Sequence, residues 1–279
     1  MPELPEVEHA RRQLERHWTG RRVRRLHLVE PTSVRTHLST SPRDALADAE
    51  SWAGRWTGAT VGPVLRRGKR LGWTVGDQAV LGHLGMTGRW IRRDQEQLRH
   101  GRLCLELEGG DRWWLEDTRR FGGISPVHGD LVEALEEGLG PDAWLTPVSG
   151  PALAGRLSGR GPVKTQLLDQ RKLAGIGNIQ AAEALWHAGV HPRTRGCDLS
   201  PAQLDGLAAA LTWTLTRTLQ DAGEGELAYL SQDRIHNPFL VYGRVGSTCK
   251  RCSSEIVADR IAGRVSPFCP TCQPSEQIG

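Results

Sequence analysis

The chain is 279 residues long, 38% hydrophobic and 24% charged, which suits a water-borne protein of two ordinary domains, each able to bury a core. No apolar run approaches the ~20 residues that a membrane-spanning helix needs, and no signal-peptide pattern opens the chain, so a cytoplasmic protein without a membrane partner is expected. With a net charge of only +4, any affinity for polyanions must come from local arginine clusters.

The opening residues Met1-Pro2-Glu3 could set a reactive amine beside a carboxyl group. Pro2 is small enough for the methionine before it to be trimmed. The secondary amine left behind would titrate near pH ~8, roughly two units below a lysine, leaving more of the attacking free base at neutral pH. Glu3 would then stand one residue away as a proton donor or acceptor. On these residues alone, a chain that merely begins this way is the plainer reading.

Val7, Ala10, Leu14 and Trp18 recur at three- and four-residue steps, which predicts a helix from Glu6 to Trp18, stopped by Gly20. Arg11, Arg12 and Arg16 fall on its other faces and join Arg21, Arg22, Arg24 and Arg25 in one basic cluster. Arg66, Arg67, Lys69 and Arg70 form a second, and Arg119 with Arg120 a third. Arginine-rich groups suit phosphate contact, and they suit any solvated face equally. A short helix is expected after Ser41-Pro42, where a serine cap, a first-turn proline and Asp44 agree. Strand patterns lie around Val23 to Val29, Thr60 to Val75, Ala79 to Ile91, Leu103 to Leu107 and Arg112 to Glu116, with turns at Gly76-Asp77 and Gly109-Gly110-Asp111. Residues 1–144 therefore read as an early helix plus a β-sandwich or flattened barrel.

Over 145–161 the composition shifts to Pro, Gly and Ser, which predicts an irregular interdomain hinge. Residues 162–240 turn helical. Ser200-Pro201-Ala202-Gln203 is a capping box, and Leu204, Leu207, Leu211 and Leu215 line one helix face until Gly223. In the stretch from Gln166 to Pro192 a first helix breaks at Gly175-Ile176-Gly177. Asn178 is placed to cap the next helix, whose free N–H groups would face an anion such as phosphate. A plain helix cap is the other reading.

Residues 241–274 hold Cys249-x-x-Cys252 and Cys269-x-x-Cys272, sixteen residues apart, the spacing of two knuckles closing on one zinc ion from a β-hairpin. Two disulfides would need an oxidising compartment, and a redox pair would be single and beside a βαβ unit. Cys104 and Cys197 read as lone buried thiols.

Seven motifs then fall in order: MPELPEVE at the start, RRGK at 66–69, HLGMTG at 83–88, RRFG at 119–122, LLDQ with AGIGN, VYGR at 241–244, and the four-cysteine hairpin. Together they resemble the formamidopyrimidine-DNA glycosylase family, bacterial base-excision repair enzymes related to endonuclease VIII. PELPE rather than PEGPE sets the chain nearer the formamidopyrimidine branch. The resemblance implies an α+β multidomain fold: an N-terminal helix plus a two-layer β-sandwich, then a helical helix-two-turn-helix domain with a C-terminal zinc-binding β-hairpin. It implies a monomeric enzyme that acts on damaged double-stranded DNA by extruding the lesion, because the sugar carbon cannot be reached inside a duplex. Pro2 would attack that carbon and Glu3 would handle protons on the opening sugar, with strand cleavage by β- and δ-elimination. Lys69, His83, Asn178 and Arg264 would contact phosphates around the lesion, and Lys164 would lie near the damaged base. Met86, Arg119 and Phe121 would fill the gap left by the extruded nucleotide and contact its orphaned partner. The one zinc ion would be structural, since four thiolates leave no open position.

Three departures from the family pattern stand out. Gln180 replaces the usual tyrosine of Asn-Ile-Tyr-Ala, and Thr118 replaces the proline before the paired arginines. The segment from Tyr229 to Leu240 is shorter than in members that close a loop over 8-oxoguanine, which predicts weaker activity on that lesion than on ring-opened purines or oxidised pyrimidines. Two rival classes are a non-catalytic damage sensor on the same scaffold and a zinc-ribbon RNA-binding protein. The opening motif argues against both.

Overall fold

The computed structural model describes residues 2–146, 148–221 and 237–275. The chain divides into two compact units, one built mainly from Glu6–Glu137 and the other from Glu3–Pro5 together with the chain from Gly138 onward.

In the first unit, helix α1 (Leu4–Trp18) begins two residues earlier than its apolar spacing predicts. Gly20, at φ 78°, ends it and donates its N–H to Val61 O at 2.8 Å. Two antiparallel four-stranded sheets follow. One has the order β1 (Val23–Leu28), β6 (Gly101–Leu107), β7 (Arg112–Glu116), β5 (Arg89–Arg92); the other has β2 (Leu65–Arg67), β3 (Arg70–Val75), β4 (Gln78–His83), β8 (Gly123–Val127). Val7, Leu14 and Trp18 of α1 share one buried core with residues from both sheets, with Trp52 of the short helix α2 (Ala49–Gly54) and with Trp56 just beyond it. Trp18 stands edge-on to Trp73, Trp90 and Trp113 at centroid distances of 5.6, 5.0 and 6.1 Å, the T-shaped arrangement that aromatic quadrupoles favour. The sandwich expectation holds, and Pro42–Asp44 form the short 3-10 turn capped by Ser41.

Several sequence expectations are corrected. The single strand pattern from Ala79 to Ile91 is two strands in different sheets, because the chain crosses between layers at Leu84–Gly88, where Gly85 takes φ 59°. The pattern from Thr60 to Val75 likewise splits into the β2–β3 hairpin. Strand β8, unexpected because Gly122-Gly123 and Ser125-Pro126 look like turn punctuation, sits at a sheet edge, where a missing N–H is tolerated.

In the second unit the Pro/Gly-rich segment at 145–161 is not simply a hinge. It contains α4 (Gly150–Arg156), with Pro151 in the first turn, Ser149 as N-cap and Leu153 and Leu157 buried. The division between units falls at 137/138, after α3 (Leu131–Glu136). Helices α5 (Val163–Leu168), α6 (Asn178–Ala188) and α7 (Pro201–Asp221) complete this helical part. The capping box of α7 is reciprocal: Gln203 N–H donates to Ser200 Oγ at 3.2 Å and Ser200 N–H to Gln203 Oε1 at 2.9 Å. Leu204, Leu207, Leu211 and Leu215 are buried, as their spacing requires. Gly223 and residues 229–236 of the shortened segment lie outside the described residues.

The chain closes on a hairpin, β9 (Val257–Ile261) and β10 (Arg264–Phe268), whose turn residues Ala262 and Gly263 have φ 47° and 74°, as a type I′ turn needs. Among the described residues no helix is long and apolar enough to cross a membrane. Cys104 is buried as expected, whereas Cys197 is exposed, because it lies in a surface 3-10 turn beside Asp198.

Candidate active site and nucleic-acid interface

In the second unit the site is built around the start of α6. Glu3 is buried at 2% exposure, and its carboxylate accepts the N–H of Ile179 at 2.8 Å and of Gln180 at 3.0 Å. A carboxylate from the head of the chain therefore occupies the positive end of α6, where anions are stabilised. Gly177 makes room for it, since a Cβ there would lie 2.1 Å from Glu3 Cδ. This corrects the expectation for Asn178. Its side chain does not cap α6; its Nδ2 donates to Val265 O on β10 at 3.2 Å, and its buried Oδ1 has no hydrogen-bond partner.

Lys164, 1% exposed, points its Nζ at the same Val265 carbonyl at 3.5 Å. Burial pulls this lysine down to a pKa of about 8, opposed by the Glu3 charge and assisted by that of Arg264. Arg264 is exposed at the first position of β10, directly after the hairpin turn. Four expected site residues, Glu3, Lys164, Asn178 and Arg264, are thus brought together by α5, α6 and the hairpin.

The hairpin hangs from four thiols. Cys249 Sγ and Cys272 Sγ are 3.9 Å apart, Cys252 Sγ and Cys269 Sγ 3.4 Å, and all four sulfurs lie within 4.8 Å of one another. A tetrahedral zinc with bonds of about 2.3 Å would separate its sulfurs by about 3.8 Å, so the cluster fits that ion. The backbone N–H groups of Arg251 and Cys272 point at Cys249 Sγ and Cys269 Sγ, at 3.4 and 3.5 Å, and would stabilise thiolates. Arg251 also stacks over Trp186 at 4.2 Å and donates to the Trp186 and His187 carbonyls, fastening this knuckle to the end of α6.

In the first unit Lys69 sits not on a strand but in the two-residue turn between β2 and β3, where Gly68 takes φ 55°. Arg66, expected among the basic cluster that suits phosphate or solvent, is 2% exposed. Its Nε donates to Glu8 Oε2 at 2.9 Å and its Nη1 to Gly68 O at 2.9 Å, so it braces the Lys69 turn from inside. Burial works against the Glu8 charge, but the Arg11 and Arg66 guanidiniums outweigh it and hold this carboxyl below its ordinary range.

His83 is engaged within the protein. Its Nε2–H donates to Ser39 O at 2.7 Å, and burial together with nearby Arg35 pushes its pKa down to about 4. A neutral imidazole spending its one N–H on a carbonyl has no donor left for a phosphate. The beginning of the 119–122 loop is held by Asp117, 0% exposed, which accepts the N–H groups of Arg119 at 3.0 Å and Gly122 at 2.7 Å. Arg35, 2% exposed, donates to the carbonyls of Arg120 at 3.1 Å and Phe121 at 3.2 Å. On this frame the Arg119 guanidinium lies over the Phe121 ring at 4.8 Å, and Met86 stands half-buried in the Leu84–Gly88 turn. Sequence reasoning missed Glu8, Arg35 and Asp117. The one local signal for any of them was the Glu8, Arg11, Arg12 spacing on α1.

Comparison with known proteins fits this geometry. The family models for the formamidopyrimidine-DNA glycosylase N-terminal domain, its H2TH domain and the zinc finger found in FPG and IleRS match residues 1–124, 139–228 and 246–274. Formamidopyrimidine-DNA glycosylases of Gloeobacter violaceus and Acidothermus cellulolyticus are 37% and 35% identical, over 99% and 98% of both chains in each case. The solved Lactococcus lactis FPG (MutM) in complex with a FAPY-dG containing DNA has a TM-score of 0.84 at 29% identity, covering 98% of this chain and 100% of that one. MutM in complex with a carbocyclic 8-oxo-G containing DNA gives 0.83 at 28%, covering 98% of this chain and 99% of that one. Fold, thiol cluster and matches define a DNA glycosylase of base excision repair. The chain belongs to the formamidopyrimidine-DNA glycosylase family.

Proposed function

We propose that this enzyme excises oxidised bases from duplex DNA with Pro2, freed of Met1, as its nucleophile. The proline nitrogen bonds to C1′ as the bond from C1′ to the damaged base breaks. The N–H proton released by the proline nitrogen passes to the Glu3 carboxylate, which hands it to the ring oxygen as the sugar opens, leaving a cationic iminium whose nitrogen carries no proton. That cation acidifies the C2′ proton; its loss expels the 3′ phosphate, a second elimination expels the 5′ phosphate, and hydrolysis frees the proline.

The observation that carries this reading is the burial of the Glu3 carboxylate on the first N–H groups of α6, one peptide bond from Pro2 and beside Lys164, Asn178 and Arg264. Lys69, Asn178 and Arg264 serve as phosphate contacts, with Lys164 at the lesion and Met86, Arg119 and Phe121 as the wedge and orphan-base reader. Cys249, Cys252, Cys269 and Cys272 hold one zinc ion, whose contribution is to fix the hairpin that presents Arg264. His83 acts as a brace for the Ser39 loop.

The short segment before Val241 supports weaker activity on 8-oxoguanine than on ring-opened purines or oxidised pyrimidines. Single-turnover excision across duplexes carrying each lesion tests both parts. No excision from any of them contradicts the activity, and equal rates on all three contradict the preference.

A further inference from the structure

The turn carrying Met86 and the loop carrying Arg119 and Phe121 belong to different strand connections, yet they share one hydroxyl. Thr87 Oγ1 donates to Asp117 Oδ1 and accepts from Thr118 Oγ1 at 3.0 Å and from the Arg119 N–H at 3.3 Å. Its single proton and both lone pairs are therefore used. The backbones are also pressed together. Gly85 lies so close to the other loop that a Cβ on it would be 2.5 Å from Gly122 N. The Asp117 end of the linkage is buried, whereas Thr118 is exposed.

We propose that Thr118 is a positioning residue: its hydroxyl, through Thr87, locks the Met86 turn to the Arg119–Phe121 loop so that the wedge and the orphan-base contacts enter the duplex as one body. Without it Thr87 keeps two of its three hydrogen bonds to the loop, and the Met86 turn gains freedom relative to the Arg119 and Phe121 pair. Insertion into the stack would then have to restrict that added freedom. The inference rests on the reading of Met86 and Phe121 as gap-filling residues.

The test places 2-aminopurine opposite an abasic-site analogue and follows its fluorescence by stopped flow, since the probe brightens as the orphan base is unstacked. Thr118→Val should slow the insertion phase three- to tenfold, and Thr118→Ser, which keeps the hydroxyl, should stay within twofold of the parent. Thr87→Val should reproduce the slow phase. If Thr118→Val inserts at the parent rate while Met86→Ala and Phe121→Ala are impaired, the lock is overturned and the wedge reading stands. If none of the variants differs from the parent, or the parent shows no insertion phase, the wedge reading itself falls and takes the lock with it.

Discussion

The carboxylate of Glu3 rests on the bare backbone of Gly177, in the space that any side chain at that position would fill. The pair links the head of the chain to the first turn of α6, where Glu3 takes the Ile179 and Gln180 N–H groups. Gly177 is extended, at φ −123°, so alanine is refused on space alone and not on backbone conformation. Gly177→Ala should push Glu3, and Pro2 with it, by an ångström or more. Excision in single turnover should fall on the order of 100-fold, while binding to an abasic-site duplex falls much less. A parental excision rate in this variant would show that the Glu3 position is unimportant.

Arg66 and Arg12 both pair with Glu8, but only Arg66 is buried. Arg66→Met should cost about 3–5 kcal/mol, because it removes the inner partner of a buried carboxylate and the donor to Gly68 O. Arg12→Ala, at a side chain 48% exposed, should cost under about 1 kcal/mol. Urea unfolding of the two variants side by side reads the difference, and equal losses would contradict the assignment.

His83 sets a pH dependence. Its pKa is about 4 in the folded chain against an unfolded value of 6.5, so the folded state binds fewer protons between those limits and loses stability as pH falls through them. Above pH 6.5 this group costs nothing. By pH 5 the loss should be roughly 2 kcal/mol. His83→Gln keeps an amide donor for Ser39 O and does not titrate. Its stability should therefore change less than the parent's between pH 7 and pH 5, and an identical slope would remove His83 as the cause.

The thiol cluster predicts an effect confined to the hairpin. Cys252→Ser should lower the bound zinc below one per chain, weaken duplex binding at least tenfold and flatten its salt dependence, as the Arg264 contact is lost. Far-UV circular dichroism should change little, since the helical core centred on Leu207, Leu211 and Leu215 is a cluster of its own. A variant that loses its metal and binds duplex like the parent would contradict a role for zinc in presenting Arg264.

Much of this architecture was legible because its signals are local. The stripe of Val7, Leu14 and Trp18, the capping box at Ser200 and the cysteine spacing are each complete within a few turns of chain. What stayed hidden depends on partners far away in sequence. Arg66 meets Glu8 across 58 positions, Arg35 meets the 120–122 carbonyls across 85 to 87, and Glu3 meets α6 across 176. From sequence alone a buried arginine and a solvated one look the same. Asparagine commonly caps a helix, which is what the position of Asn178 suggests; the carboxylate on the first turn of α6 instead comes from Glu3, at the other end of the chain. Helix α4 was masked by Pro151 and Gly155, whose first-turn placement and exposed position the helix tolerates.

Borohydride trapping on an abasic-site duplex tests most directly whether Pro2 carries the reaction. Protein with a free Pro2 terminus should become covalently attached to the DNA in the presence of borohydride and cleave the strand in its absence. Protein whose terminus is blocked by a retained or added residue should do neither, although it should still bind the duplex. Trapping and cleavage at the parental level by the blocked protein would contradict the account.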